Sequence, residues 1–294
     1  MAFNVSTLNE FVNEQQLPLL KKAVLSTPTQ GVINIMTGVK HSTAMNIIAS
    51  TPVIQDGSNC TWNPTGSTTF SNRILTVSPL KVEMSYCPAD LQKKWMNYQV
   101  RTSAMENPIP FEADVLNSVM EQIAVSNEKA IWQSTTGATT LFTGLLAHIV
   151  ADATPVVVTG LTTCTAVVNT MYLEIPVEIL DKAEILVGMD FFRKYVQELT
   201  AANMYHYNPT DDANGFYVPG TNTRIRPLSG LNSQNKVIAC DPKNLYYGVD
   251  FTGDAESVKM FYSEDNDQWR LRVKYSLGTQ IAFPDQVKYC TYTA

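Results

Sequence analysis

Apolar and polar residues alternate most cleanly in two places. Leu80, Val82, Met84 and Tyr86 are separated by Lys81, Glu83 and Ser85; Trp269, Leu271, Val273 and Tyr275 are separated by Arg270, Arg272 and Lys274. A period of two puts each apolar set on one side of an extended chain, so both segments read as strands with one buried face. Val258–Tyr262 precedes the second across the turn Glu264-Asp265-Asn266-Asp267, which makes a hairpin, and Ser276–Phe283 reads as a further strand closed by Pro284. A helical period appears instead at Phe111, Val115, Val119, Ile123 and Ala130, with Leu116 and Ile131 beside them. It predicts a long helix over 110–134. Pro110 stands where a first-turn proline is tolerated, and Glu112, Asp114 and Lys129 suit the two ends of the helix dipole.

Residues 1–30 read as a helical arm. Thr7 and Glu10 have capping-box spacing, Leu8, Phe11 and Val12 form an apolar stripe, and Pro18 should break or kink the helix. Such an arm either lies on another subunit or packs on its own domain. Val32–Met36 and Ile47–Ile54 lean to strand, and Ser58–Asn72, rich in Ser, Thr, Asn, Gly and Pro, reads as the polar tip of a long hairpin. Trp62 and Phe70 in that tip either dock on a neighbour or fold back on their own strand.

Pro88–Tyr98 reads as a short helix. Further on, Thr165–Leu180 looks helical with Pro176 as its limit, Glu184–Val187 is a short strand, and Asp190 is a candidate N-cap for a helix carrying Phe192, Tyr195, Val196 and Leu199. Tyr205–Gly230 reads as a long loop, Lys236–Cys240 as a strand, and Asp241-Pro242 as the start of a turn or short helix through Tyr247. This alternation suggests an α/β unit between about 140 and 251.

Composition narrows the function. The chain has 294 residues, 45% hydrophobic and only 16% charged, with a formal net charge of −6. Low charge fits a neutral soluble enzyme, and it equally fits a subunit covered by its neighbours, because obligate interfaces are poor in charge at their centres. No Lys/Arg cluster longer than Lys21-Lys22 or Lys93-Lys94 occurs, which argues against tight gripping of nucleic acid phosphates. The cysteines, Cys60, Cys87, Cys164, Cys240 and Cys290, are odd in number and include no CxxC, so they read as buried apolar residues rather than a disulfide framework or zinc site. Asn59-Cys60-Thr61 matches the glycosylation pattern, but the N-terminus has no signal-peptide pattern and no run of apolar residues is long enough to span a membrane. His41, His148 and His206 lack metal-ligand spacing, and no nucleophile elbow or phosphate-binding glycine motif occurs. The acidic pairs Asp211-Asp212 and Glu264–Asp267 read as solvated turns. No catalytic, cofactor or metal residue is therefore nominated.

At this point the chain resembles a known family. VIACDPKNLYYGVDF (Val237–Phe251) and YSEDNDQWRLRVKYSLGTQIAFPDQV (Tyr262–Val287) are similar to the C-terminal half of tailed-bacteriophage major capsid proteins of the Hong Kong 97-type fold. EILVGMDFFRKY (Glu184–Tyr195) resembles the strand and helix of that family's axial domain, and Glu112–Gln133 its spine helix. The likeness covers about two-thirds of the chain, and the order of the segments is more specific than any one of them.

The resemblance implies an α+β subunit. Its parts would be an N-terminal arm (1–30), an extended-loop region (31–87, tip about 58–72), a peripheral domain (88–139 and 252–294, with the spine helix at 110–134) and an α/β axial domain (140–251). It implies contact between subunits through Leu8, Phe11, Trp62, Phe70 and Arg73, and hexamers and pentamers closing into an icosahedral head around double-stranded DNA, without sequence-specific DNA binding. Such a shell is assembled in the host bacterial cytoplasm, has no membrane or cofactor, and takes a portal and decoration proteins as further partners. Because the arm follows Met1 at once, scaffolding is expected from a separate protein, and a tip without lysine leaves no lysine crosslink there. Competing readings are a nanocompartment shell of the encapsulin kind, which shares the fold, and a soluble α/β enzyme or carbohydrate-binding module.

Overall fold

The computed structural model describes residues 16–57, 62, 64–87, 111–135, 142–158, 163–202, 216–250, 257–266 and 268–292. The expected short helix at Pro88–Tyr98, Leu8 and Phe11 lie outside these residues.

One sheet is built around β12 (Gln268–Ile281), which receives β11 (Ser257–Ser263), β4 (Ser78–Tyr86) and β10 (Leu245–Asp250) antiparallel, with β1 (Asn34–Thr37) added parallel to β10. The alternating residues Trp269, Leu271, Val273 and Tyr275 are all buried, as their period requires. β12 does not stop at Tyr275: the strand expected separately at Ser276–Phe283 is its continuation, buried without a break from Tyr275 to Thr279. There it is covered on both sides, so alternation vanishes. At Gly278 an added Cβ would lie 2.0 Å from the Thr76 carbonyl oxygen, so only glycine lets the chain cross there.

The long helix α2 (Phe111–Gln133) packs on this sheet with Leu116, Met120, Ile123, Ile131 and Trp132 inward. Helix α1 (Gln16–Leu25) lies along it through Leu19, Leu20, Ala23 and Val24. Pro18 does not break α1, because it sits in the first turn, where backbone N–H groups have no helical partner. Residues 16–30 thus pack on the chain's own core instead of standing apart as an arm.

The second sheet has six strands in the order β5 (Thr154–Val156), β13 (Lys288–Thr291), β9 (Lys236–Cys240), β6 (Glu184–Gly188), β8 (Arg224–Leu228) and β7 (Phe216–Tyr217). β6 and β9 are almost wholly apolar because both faces are covered. Leu186, Ile238 and Cys240 face the core around α2; Ile185, Val187, Val237 and Ala239 face a second core with α4 (Cys164–Leu173) and α5 (Met189–Ala201). A short helix, α3 (Leu145–Asp152), joins the first core.

Several sequence readings need correction. Gly188, not Asp190, is the α5 N-cap; the Asn232 side chain accepts from the Met189 N–H at 2.7 Å, and Asp190 falls in the first turn. α4 ends at Leu173, before Pro176. β8 lies inside the stretch read as a loop to Gly230, and the short helical turn opened by Asp241-Pro242 covers only Pro242–Asn244, so that Leu245–Tyr247 belong to β10. Short strands lacking clean alternation hide among Gly and Pro. Sheet membership also cuts across the expected domain limits: β13 joins the sheet of β6 and β9, while β10 joins that of β12.

Candidate assembly surfaces

β2 (Ser42–Thr51) and β3 (Ser67–Thr76) form a two-stranded antiparallel ribbon that belongs to neither large sheet. The tip therefore starts after Thr51, and Phe70, expected in a polar loop, stands in β3 opposite Ile48. Ten residues per strand make the ribbon about 34 Å long at roughly 3.4 Å per residue.

Among the described residues, the ribbon is anchored at its root. Met45 and Leu75 on one face pack with Val39 and Val77 in a small core of their own. On that same face Arg73 forms an ion pair with Asp152 at the end of α3. Both charged groups bear on His148, whose imidazole is lowered first by burial. Arg73 thus holds the ribbon to its own body.

Beyond the root the ribbon is uncovered. Ile48, Phe70 and Ile74 are 61%, 77% and 56% exposed on the face opposite Met45, and Val53, Ile54 and Trp62 are 55%, 99% and 93% exposed toward the tip. A lone two-stranded ribbon is marginal in water, and these exposed apolar side chains are candidates for a contact surface.

A second apolar surface lies between β4 and α2. Val82, Met84 and Tyr86 form one wall, and Ser118, Val119, Gln122, Ile123 and Ser126 the other, with Tyr275 also lining the groove, whose volume is about 620 Å³. No charged residue is among these lining positions.

The turn after α1 is fixed by a buried polar set. The Glu128 carboxylate accepts from the Thr29 N–H at 3.2 Å and the Thr29 hydroxyl at 2.5 Å, and Thr29 Oγ1 accepts from Trp132 Nε1 at 2.8 Å. Asn127 donates to the Ala23 carbonyl at 3.1 Å and accepts from the Tyr275 hydroxyl at 2.9 Å. Across the molecule, Gln133 donates to the Gly230 and Asn232 carbonyls at 2.7 and 3.0 Å, tying the last turn of α2 to the second sheet's loops.

Several chemistry-bearing groups are occupied structurally. Among the described residues no group of three or more His, Cys, Asp and Glu converges. Burial pushes the Cys164 and Cys290 thiols up to about 11, which leaves them protonated and unreactive near neutrality. Glu198 caps α4, accepting from the Cys164 and Thr165 N–H groups at 2.8 and 2.7 Å. Burial works to raise its carboxyl, but these donors and the Thr165 hydroxyl outweigh that and hold it below the usual range. No described helix is long and apolar enough to cross a membrane.

No protein-family model matches the sequence, and no curated protein does. Solved structures do. A chain of the satellite phage P4 procapsid, a structure that includes the size determination (Sid) protein, matches with a TM-score of 0.62 at 8% identity, over 99% of this chain and 91% of that one. The capsid of a native GTA particle matches with a TM-score of 0.57 at 9% identity, over 93% and 91%. A virus-like particle from Pyrococcus furiosus matches with a TM-score of 0.52 at 10% identity, over 96% and 99%. The resemblance to phage capsid proteins is one of fold, extending over almost the whole of both chains.

Proposed function

We propose that this chain is the major capsid protein of a tailed bacteriophage, a shell-forming subunit and not an enzyme. The observation that carries the reading is the ribbon β2–β3, which leaves Ile48, Val53, Ile54, Trp62, Phe70 and Ile74 exposed in a chain that shares its fold with a procapsid chain and a particle capsid. A free monomer gains nothing from that surface; a subunit that covers it with another copy gains its burial.

In this reading the fold is of the Hong Kong 97 type. The ribbon is the extended loop, α2 the spine helix of the peripheral domain, and the sheet of β6 and β9 the centre of the axial domain. Hexamers and pentamers of the chain close into an icosahedral head enclosing double-stranded DNA in the virion, after assembly in the host cytoplasm. Trp62, Phe70 and, before Gln16, Leu8 and Phe11 meet neighbouring subunits. Arg73 acts from the root, by orienting the ribbon through Asp152. A separate scaffolding protein, a portal and decoration proteins complete the head.

The likeness to the Pyrococcus furiosus virus-like particle favours a second reading, a nanocompartment shell of the encapsulin kind. Negative-stain microscopy of the purified chain tests both: rings, tubes or shells are expected. A chain that stays monomeric across salt and concentration refutes the two together. Particles isolated from the native source then separate them, since a head holds genome-length DNA and a compartment holds protein cargo.

A further inference from the structure

The outer edge of β2 pairs with no described strand. Val77 donates its N–H to the His41 carbonyl at 2.9 Å, and the register pairs Ser42 with Thr76, so His41 and Val77 are a hydrogen-bonded pair. Such pairs alternate along an antiparallel ladder. Thr43, Met45, Ile47 and Ala49 therefore bond inward to β3, while Ala44, Asn46, Ile48 and Ser50 turn their N–H and C=O groups outward. On β3 the same alternation turns Ile74 outward, and its carbonyl accepts from the Gln280 side chain at 2.9 Å, so the root of that edge is met by β12. Among the described residues no strand pairs with the outer edge of β2.

Soluble proteins blunt such edges with Lys, Pro, bulges or short strands. β2 has none of these: STAMNIIAST runs ten residues with no charge and no proline. The adjoining ribbon face carries exposed Ile48, Phe70 and Ile74, so edge and face make one continuous uncharged surface. An edge of this kind is a hazard in a monomer and a mating surface in an assembly.

We infer that the outer edge of β2 takes a strand from a second copy of this chain, so that neighbouring subunits are joined by main-chain hydrogen bonds through Ala44, Asn46, Ile48 and Ser50. The inference rests on the shell reading and deepens it: side-chain burial gives the contact its strength, and the ladder gives it its register.

Proline substitution separates the two. Asn46→Pro removes an outward N–H while leaving the inward bonds of Met45 and Ile47 in place, and proline is tolerated on a strand edge that is not bonded. Asn46→Ala keeps the N–H and removes only the side chain. The expected result is that N46A assembles like the parent, N46P loses assembly, and both unassembled chains unfold at the parent's midpoint. If N46P forms parent-like particles, the edge is not used, and the shell reading survives. If the parent itself never assembles, the shell reading fails first. Hydrogen exchange on the parent covers the case in which N46P misfolds. The amides of Ala44, Asn46, Ile48 and Ser50 should slow on assembly, and exchange as fast in particles as in free subunits overturns the inference.

Discussion

Trp62 and Trp132 provide a paired test of where the apolar surface is used. Trp62 is 93% exposed and Trp132 is fully buried, with its Nε1 bonded to Thr29. Trp132→Ala should therefore cost the folded subunit about 3–5 kcal/mol, the usual range for a large aromatic removed from a core. Trp62→Ala should cost it no more than about 0.5 kcal/mol, as for other surface changes. Assembly should reverse the order of interest. Covering a tryptophan removes roughly 150–250 Å² from water, and at ~25 cal/mol per Å² that is an upper bound of about 4–6 kcal/mol per contact. Ordering costs take part of it, so a loss of about 2 kcal/mol per contact is expected. That corresponds to roughly a 30-fold rise in the subunit concentration needed to assemble. Denaturant unfolding of dissociated subunits gives the first quantity, and light scattering against concentration gives the second. If Trp62→Ala lowers the unfolding midpoint of the subunit as far as Trp132→Ala does, the tip is core and the argument from exposure collapses.

Other substitutions probe what holds the subunit itself. Thr29→Val removes the hydroxyl between Trp132 and Glu128 and leaves a buried carboxylate short of a donor; it should lower subunit stability by about 1–3 kcal/mol, read by thermal melting. Gly278→Ala drives a Cβ into the Thr76 carbonyl and should cost about 1–3 kcal/mol or more, read as a lower melting temperature by circular dichroism of the purified chain. The Glu198 carboxyl is held low in the folded chain, so its contribution is complete above the unfolded value, ~4.3, and is lost as pH falls through the lower folded one. Acid titration of the melting temperature should therefore be steeper in the parent than in Glu198→Gln, and identical slopes would show that the cap contributes nothing.

The sequence was legible where one physical demand acted alone. Half-buried β4 and the first half of β12 alternate, and α2 keeps one apolar stripe, so all of them could be placed within a few residues. It was illegible where demands overlapped. β8 contains Pro227 in a parallel pairing with Val187, and β10 follows directly on the short helical turn Pro242–Asn244, so neither shows a pattern that separates it from loop. The candidate surface was half visible. Trp62 and Phe70 stood out as aromatics among polar residues, and both are exposed. Phe70 was misplaced because STTFSN reads as loop by composition, although Ser and Thr rows serve equally well on a ribbon open to water, where Ser50 meets Thr68 at 3.1 Å. The edge of β2 carries no side-chain signal at all; it is seen only when the ladder's alternation is known.

The ribbon and the body differ in how they can be stable. The body has two abutting cores, and β6 and β9 serve both with alternate residues, so its order is secured within the chain. The ribbon's root packs Met45 and Leu75 with the flanking Val39 and Val77 in a small buried cluster, and its outer part carries hydroxyl contacts such as Thr51 with Ser67 at 2.9 Å. Such contacts contribute little net of water. Beyond its root the ribbon therefore relies on the β2–β3 ladder itself, and in the proposed shell a neighbour that covers Ile48, Phe70 and Trp62 would add burial there, with Arg73 and Asp152 setting the ribbon's direction.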